Sequence, residues 1–196
     1  MISEISKRIA VGLSRSSVIA EEDIDLYTYG FFSLLSKLLF FLVTAFFGIL
    51  LKITVESILF YVLFSLLRTY AGGIHADKEW KCLCFTTTAM FLSVLCIKAL
   101  TVSNPFLITV TLTFVFSLVI VCASPLETDE KPLRENERRK YKIITIGILI
   151  IYLFLLFIFV LIKKWNFYYT IVIAICIASI LLIIGIIKKG RYCNEF

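Results

Sequence analysis

The chain has 196 residues, of which 60% are hydrophobic and only 17% are charged, with a formal net charge of +6. Soluble domains usually carry about a quarter charged residues, so this composition excludes a water-soluble globule. Charges collect in short clusters between long uncharged stretches, a pattern typical of membrane spans and their loops. The sequence therefore predicts an all-α, polytopic integral membrane protein in which residues 1–196 form a single domain.

The N-terminal stretch predicts an amphipathic helix. Ile2, Ile5, Ile9 and Leu13 recur at near-helical intervals, with basic residues close by. Such a helix lies in the membrane interface with its apolar face towards the acyl chains. An acidic connector follows, and we assign residues 1–30 to this interfacial helix and its connector.

Six apolar segments follow the connector. A membrane-crossing helix needs about 20 residues, so the second segment is short and either borrows residues from its flanks or does not cross cleanly. The predicted segments are Phe31–Leu51, Ile53–Leu67, Leu83–Leu100, Pro105–Ala123, Ile143–Ile162 and Phe167–Ile187.

The distribution of Lys and Arg predicts the orientation. With a cytoplasmic N-terminus, fifteen of these residues fall on the inner side and four on the outer side. Cytoplasmic loops carry the excess of basic residues. We therefore expect both termini, and the loops after the second and fourth segments, to be cytoplasmic.

The first of these loops, residues 68–82, carries the residues best suited to chemistry. It holds His75, the only histidine, and Cys82 seven residues later. Histidine exchanges a proton near neutral pH, and a thiol becomes a strong nucleophile once deprotonated. Cys82 lies where the third segment should begin, and the positive end of a helix lowers the pKa of a thiol.

Spacing restricts a dyad of His75 and Cys82. On one continuous helix the two side chains would be separated by about 10.5 Å along the axis, too far for direct proton transfer. The chain would have to fold back, and Gly72-Gly73 permits an unusual backbone path just before His75. The alternative is a structural histidine in a turn and a structural cysteine at a helix start. Either Asp77 or Glu79 could orient His75, or both are solvated loop charges.

Two segments carry a family resemblance. The first segment consists of Arg68, the run Ala71-Gly72-Gly73-Ile74-His75, six intervening residues and then Cys82. The second segment consists of Ser124-Pro125-Leu126-Glu127 followed by Lys131-Pro132-Leu133. They resemble the accessory gene regulator protein B family, membrane-embedded cysteine endopeptidases of Gram-positive quorum sensing.

The resemblance implies a reaction on a precursor of a peptide pheromone. The enzyme cysteine releases the precursor's acidic C-terminal tail, and a cysteine or serine of the peptide then closes a thiolactone or lactone ring. Carried over by position, Cys82 is the nucleophile, His75 is the general base and acid, and Arg68 and Gly73 are supporting residues.

The resemblance also implies partners and a location. The expected partners are the precursor peptide, membrane lipid and a second copy of the chain, in the plasma membrane of a Gram-positive bacterium. We expect no cofactor, no metal and no nucleic acid. In the loop 124–142, basic residues either bind the acidic tail of the precursor or anchor the loop to anionic lipid; they are Lys131, Arg138, Arg139 and Lys140.

Two other functions compete with the peptidase. The first is a transporter that exports a peptide signal, although no span is broken by paired Gly or Pro as alternating-access folds often are. The second is a non-catalytic membrane scaffold, which would leave the segment of His75 and Cys82 without a purpose.

Overall fold

The computed structural model describes residues 2–72, 79–126 and 135–193; for residues 79–82 and 188–193 it describes the backbone alone. These ranges contain seven α-helices and no strand, and a short 3₁₀ turn (Glu21–Asp23) precedes the second helix. The helices are α1 (Ile2–Arg15), α2 (Ile24–Leu51), α3 (Thr54–Ala71), α4 (Glu79–Ser103), α5 (Phe106–Ala123), α6 (Glu135–Leu161) and α7 (Trp165–Cys193).

Six of these helices, α2 to α7, contain stretches long and apolar enough to cross a membrane. A chain in lipid must satisfy its backbone hydrogen bonds internally, which an α-helix does and an irregular segment does not. The prediction of an all-α polytopic membrane protein is confirmed.

Helix ends differ most from the prediction where helices leave the apolar layer. The short second segment borrows four residues and ends at Ala71, giving an 18-residue helix. The described part of α6 extends back to Glu135, eight residues before the predicted Ile143, so residues 135–142 of the expected loop 124–142 are helical. Hydropathy predicts only the lipid-embedded part of a helix. Glu135 and Glu137 favour a helix that extends beyond that part, because acidic groups are stabilised in a first turn.

The described residues form two compact units, one within residues 1–43 and the other within residues 44–196. In the first unit, the expected N-terminal amphipathic helix is confirmed as α1. Ser6 and Ala10 of α1 are buried, whereas Ile5 and Ile9 keep apolar surface exposed. Glu4 and Arg8, one turn apart, approach to 3.6 Å.

In the second unit, α3, α5 and α7 run in one direction and α4 and α6 run in the other. The N-terminal ends of α5 and α7 meet where the ring centroids of Phe106 and Trp165 lie 5.5 Å apart. The N-terminal ends of α3 and α7 meet where Asn166 Nδ2 donates to Glu56 Oε1 at 2.9 Å. We call this the turn end, because the connections there are short, and the opposite end the loop end.

Three connections at the turn end each contain one left-handed residue: Lys52, Asn104 and Lys163 have φ of 59°, 48° and 55°. After α2, Ile53 N donates to Gly48 O at 2.9 Å; after α6, Lys164 N donates to Phe159 O at 3.0 Å. Such bonds satisfy the last carbonyls of a helix and stop it abruptly. The turn end is therefore closed by tight turns.

α7 lies at the centre of the second unit. In its apolar stretch 61% of the residues are buried, a larger share than in any other spanning helix. It contacts α3, α4, α5 and α6. Two of its largest buried side chains are Tyr169, which donates its hydroxyl to Asn104 Oδ1, and Ile175.

α5 packs against α7 through a row of small polar residues. Thr109, Thr113 and Ser117 recur every four residues on its buried face. The hydroxyls of Thr109 and Tyr168 lie 3.3 Å apart, and Thr113 Oγ1 donates to Thr109 O at 2.7 Å. Small side chains let membrane helices approach closely and replace the hydrophobic driving force that lipid does not supply.

Candidate active site

Arg68 lies in the last turn of α3, at the loop end. Its guanidinium carbon lies 5.8 Å from the ring centroid of Phe64, which is buried one turn earlier. A cation within about 6 Å of an aromatic ring is attracted to its face. The contact fixes the charge of Arg68 beside the point where α3 ends and the predicted catalytic loop begins.

Cys82 is the fourth residue of α4, which begins at Glu79. The first four backbone N–H groups of a helix have no partner within it, and the helix dipole places partial positive charge there. At such a position a thiolate is favoured over a thiol, and this is the effect predicted for Cys82. The backbone of Cys82 lies in the first described turn of α4 and its side chain lies outside what the structure describes, so its position at a helix start stays a prediction.

Several predicted site residues lie outside the described ranges. These are Gly73, His75, Asp77 and Lys131, together with the side chain of Glu79. The dyad of His75 and Cys82 and the orienting role of Asp77 or Glu79 therefore stay predictions.

The two loops at the loop end begin at a common point. Gly72 caps α3 with φ of 86°, and its N–H donates to Arg68 O at 3.1 Å. Leu126, three residues beyond the end of α5, donates its N–H to Ala71 O at 3.0 Å. This hydrogen bond joins the start of the predicted catalytic loop to the start of the predicted basic loop.

Arg138, Arg139 and Lys140 lie on the first two turns of α6, and all three are exposed. Tyr141 follows them directly, and its ring centroid lies 5.8 Å from that of Tyr70 near the end of α3. The structure therefore brings three of the four predicted tail-binding residues to the same end of the bundle as Arg68.

Sequence reasoning missed the pairing of Gly72 with Leu126 and of Tyr70 with Tyr141. A glycine after an apolar helix signals a left-handed cap, so Gly72 could have been assigned that role. Nothing in the sequence marks Leu126 as its neighbour, because the two residues follow different helices.

Metal-binding groups are absent from the described part of the chain: no three His, Cys, Asp or Glu residues there lie close enough to hold an ion. Of its cysteines with described side chains, Cys84, Cys96 and Cys122 are exposed and Cys176 is buried.

Known proteins give one consistent match. The model of the family described as accessory gene regulator B matches residues 6–184. The chain is 28% identical over 149 residues to "Putative AgrB-like protein 2" of Clostridium perfringens (strain 13 / Type A), covering 71% of this chain and 68% of that protein. The same values apply to "Putative AgrB-like protein" of Clostridium perfringens (strain SM101 / Type A). No solved structure matches the chain.

In the residues that the structure describes, fold and site define a helical, multi-pass membrane protein with Cys82 in the first described turn of α4 and exposed basic residues on α6. The family match covers most of the chain. The chain belongs to the accessory gene regulator B family and is involved in the processing of quorum-sensing pheromones.

Proposed function

We propose that this protein is a membrane cysteine endopeptidase that cuts the acidic tail from a pheromone precursor and closes the remaining peptide into a ring. The observation that carries the proposal is the position of Cys82 in the first described turn of α4, in a member of this family. The helix start supplies a reason for a reactive thiol at this one cysteine.

The first step forms an acyl-enzyme. His75 takes the proton of the Cys82 thiol, and the thiolate attacks the carbonyl carbon that joins the signal segment to the acidic tail. A thioester bond forms as the peptide bond breaks, and His75 gives the proton to the departing amine of the tail. The backbone N–H groups near Cys82 are the proposed donors for the oxyanion.

The second step closes the ring. A thiol of the peptide, or a serine hydroxyl in its place, attacks the thioester carbonyl and loses its proton to His75. The new thiolactone or lactone bond forms as the bond to Cys82 breaks, and the proton returns to the Cys82 sulfur. Exchange of one thioester for another is nearly balanced in free energy, so water must be kept from the intermediate.

Other residues take supporting parts in this scheme. Arg68 supplies a fixed positive charge at the end of α3, Gly73 permits the turn towards His75, and Asp77 or Glu79 orients the imidazole. A patch of basic residues attracts the acidic tail: Lys131, Arg138, Arg139 and Lys140.

The membrane has a part in the proposal as well. With the loop end in the cytoplasm of a Gram-positive cell, as the basic residues favour, the lipid surface presents an amphipathic precursor to the site. We include a homodimer in the proposal on the strength of the family alone.

Purified protein in liposomes of anionic lipid, supplied with a precursor peptide, tests the proposal. Wild type should release the acidic tail and a product lighter than the linear peptide by one water, both visible by mass spectrometry. Cys82→Ala should abolish both, whereas Cys84→Ala, two residues further along α4, should keep them. Tail release by Cys82→Ala would refute the peptidase, and uncut peptide moved across the bilayer would favour an exporter.

A further inference from the structure

The contact between Gly72 and Leu126 joins two loops that are more than fifty residues apart in the chain. Leu126 N donates to Ala71 O at 3.0 Å, so the last carbonyl of α3 accepts a hydrogen bond from the segment that follows α5. In a helix the last carbonyls have no partner within the helix. A backbone hydrogen bond from another segment fixes both position and direction at such an end.

Only glycine fits this contact. A Cβ added to Gly72 would lie 2.5 Å from Leu126 O and 3.1 Å from Leu126 N. Gly72 also has φ of 86°, a left-handed conformation that other residues rarely adopt. A side chain at Gly72 would therefore force the two segments apart and strain the backbone in the same place.

Both partners of the contact are anchored in the bundle. Ala71 is buried on one side, and Ser124 and Pro125 are buried on the other. Ser124 N donates to Ile120 O at 2.9 Å, which carries the α5 hydrogen-bonding pattern up to the residue before Pro125. The contact therefore joins two fixed points.

We infer that Gly72 and Leu126 are positioning residues for the proposed reaction, on which this inference rests. His75 follows Gly72 by three residues in the sequence, so a displacement of Gly72 moves the origin of the short segment that carries the imidazole. A general base must come within about 2.6–3.2 Å of its proton, or within one bridging water. Leu126, by holding Ala71 and Gly72, fixes the point from which the chain leads on to His75.

Gly72→Ala tests the inference, with Gly147→Ala as its matched control. A Cβ at Gly147, in α6, would meet nothing within 4 Å. For tail release in liposomes, Gly72→Ala should lower kcat about 100-fold, the loss expected for a displacement of about 1 Å. KM should stay within about twofold of wild type, because the precursor's binding groups are untouched. Gly147→Ala should match wild type in both.

The reactivity of Cys82 distinguishes a positioning role of Gly72 from a merely structural one, because loss of stability alone would not change the measured ratio. In a background without the other five cysteines, the rate of Cys82 alkylation at about pH 7 is divided by the rate at about pH 10, where most of the thiol is ionised. A well-placed imidazole raises this ratio. Gly72→Ala should lower it, and Gly147→Ala should leave it unchanged.

A second pair of variants keeps the inference falsifiable if Gly72→Ala does not fold. Leu126→Pro removes the N–H that Ala71 O accepts, whereas Leu126→Ala keeps that N–H and the carbonyl. Leu126→Pro should lower kcat and the alkylation ratio, and Leu126→Ala should keep both near wild type. Equal values for the two variants would overturn the inference. A wild type that cleaves nothing would instead overturn the proposed function.

Discussion

The rings of Tyr70 and Tyr141 lie 5.8 Å apart and join the last turn of α3 to the second turn of α6. Tyr70 is two residues beyond Arg68, and Tyr141 directly follows the exposed basic residues of α6. The pair therefore fixes the proposed tail-binding turn relative to the end of the helix that precedes the predicted catalytic loop.

Removal of either ring should weaken this link. Aromatic pairs contribute about 0.5–1.5 kcal/mol beyond the area they bury, so a double-mutant cycle of Tyr70→Ala and Tyr141→Ala should give a coupling of that size in the free energy of unfolding. Tyr→Phe at both positions keeps the rings and is the control. A coupling near zero would mean that the two rings stabilise the protein independently of each other.

Charge reversal on α6 should weaken binding of the precursor. Arg139→Glu with Lys140→Glu replaces attraction for an acidic tail by repulsion, and KM for tail release should rise about tenfold, equivalent to about 1.4 kcal/mol. The difference should shrink in 1 M salt, where the screening length falls to about 3 Å.

Lys163→Glu with Lys164→Glu is the matched control for that experiment, because it makes the same change of charge at the turn end. Its KM should stay at the wild-type value. An equal rise in both double variants would assign the effect to net charge, and the tail-binding role of α6 would be lost.

Enlarging the small residues between α5 and α7 should destabilise the bundle. Thr113→Leu places extra methyl groups on the buried face of α5, and overpacking typically costs about 1–3 kcal/mol. Thr111→Leu makes the same chemical change on the exposed face of α5. Thermal unfolding in detergent should show a lower Tm for Thr113→Leu alone; equal Tm values would contradict the close packing of these helices.

The hydroxyl of Tyr152 should contribute modestly to stability. It donates to Leu63 O at 2.8 Å between α6 and α3, in a buried position. Side-chain hydrogen bonds in membrane proteins contribute about 0.6 kcal/mol on average, so Tyr152→Phe should lower the free energy of unfolding by about that amount. Tyr29→Phe removes an exposed hydroxyl in the first unit and should have no measurable effect.

Hydropathy predicted the six spanning helices because each must hold a long apolar stretch in lipid. It failed at the loop end, where helices continue past the apolar layer. Arg68 and Tyr70 extend α3, and Glu135 begins α6 well before its apolar part. The polar turns of these helices are stabilised by backbone hydrogen bonds and by contacts with neighbouring helices, and hydropathy measures neither kind of interaction.

In the candidate site, too, some features could be predicted from the sequence and others could not. The prediction of Cys82 at a helix start came from the position where charge gives way to an apolar run, and the structure describes the backbone of Cys82 as helical. The contact of Gly72 with Leu126 did not follow, because it depends on which helices are neighbours in the bundle. One sequence contains the periodicity of each helix but no direct record of these pairings.

The central place of α7 has a consequence for the order of synthesis. α3, α4, α5 and α6 all contact α7, and α7 is made after them. While the earlier helices enter the membrane, the faces that will meet α7, such as the row from Thr109 to Ser117, have only lipid or one another as neighbours. The bundle can therefore reach its final packing only once α7 has been inserted, and a ribosome halted before Trp165 would leave four helices without their common partner.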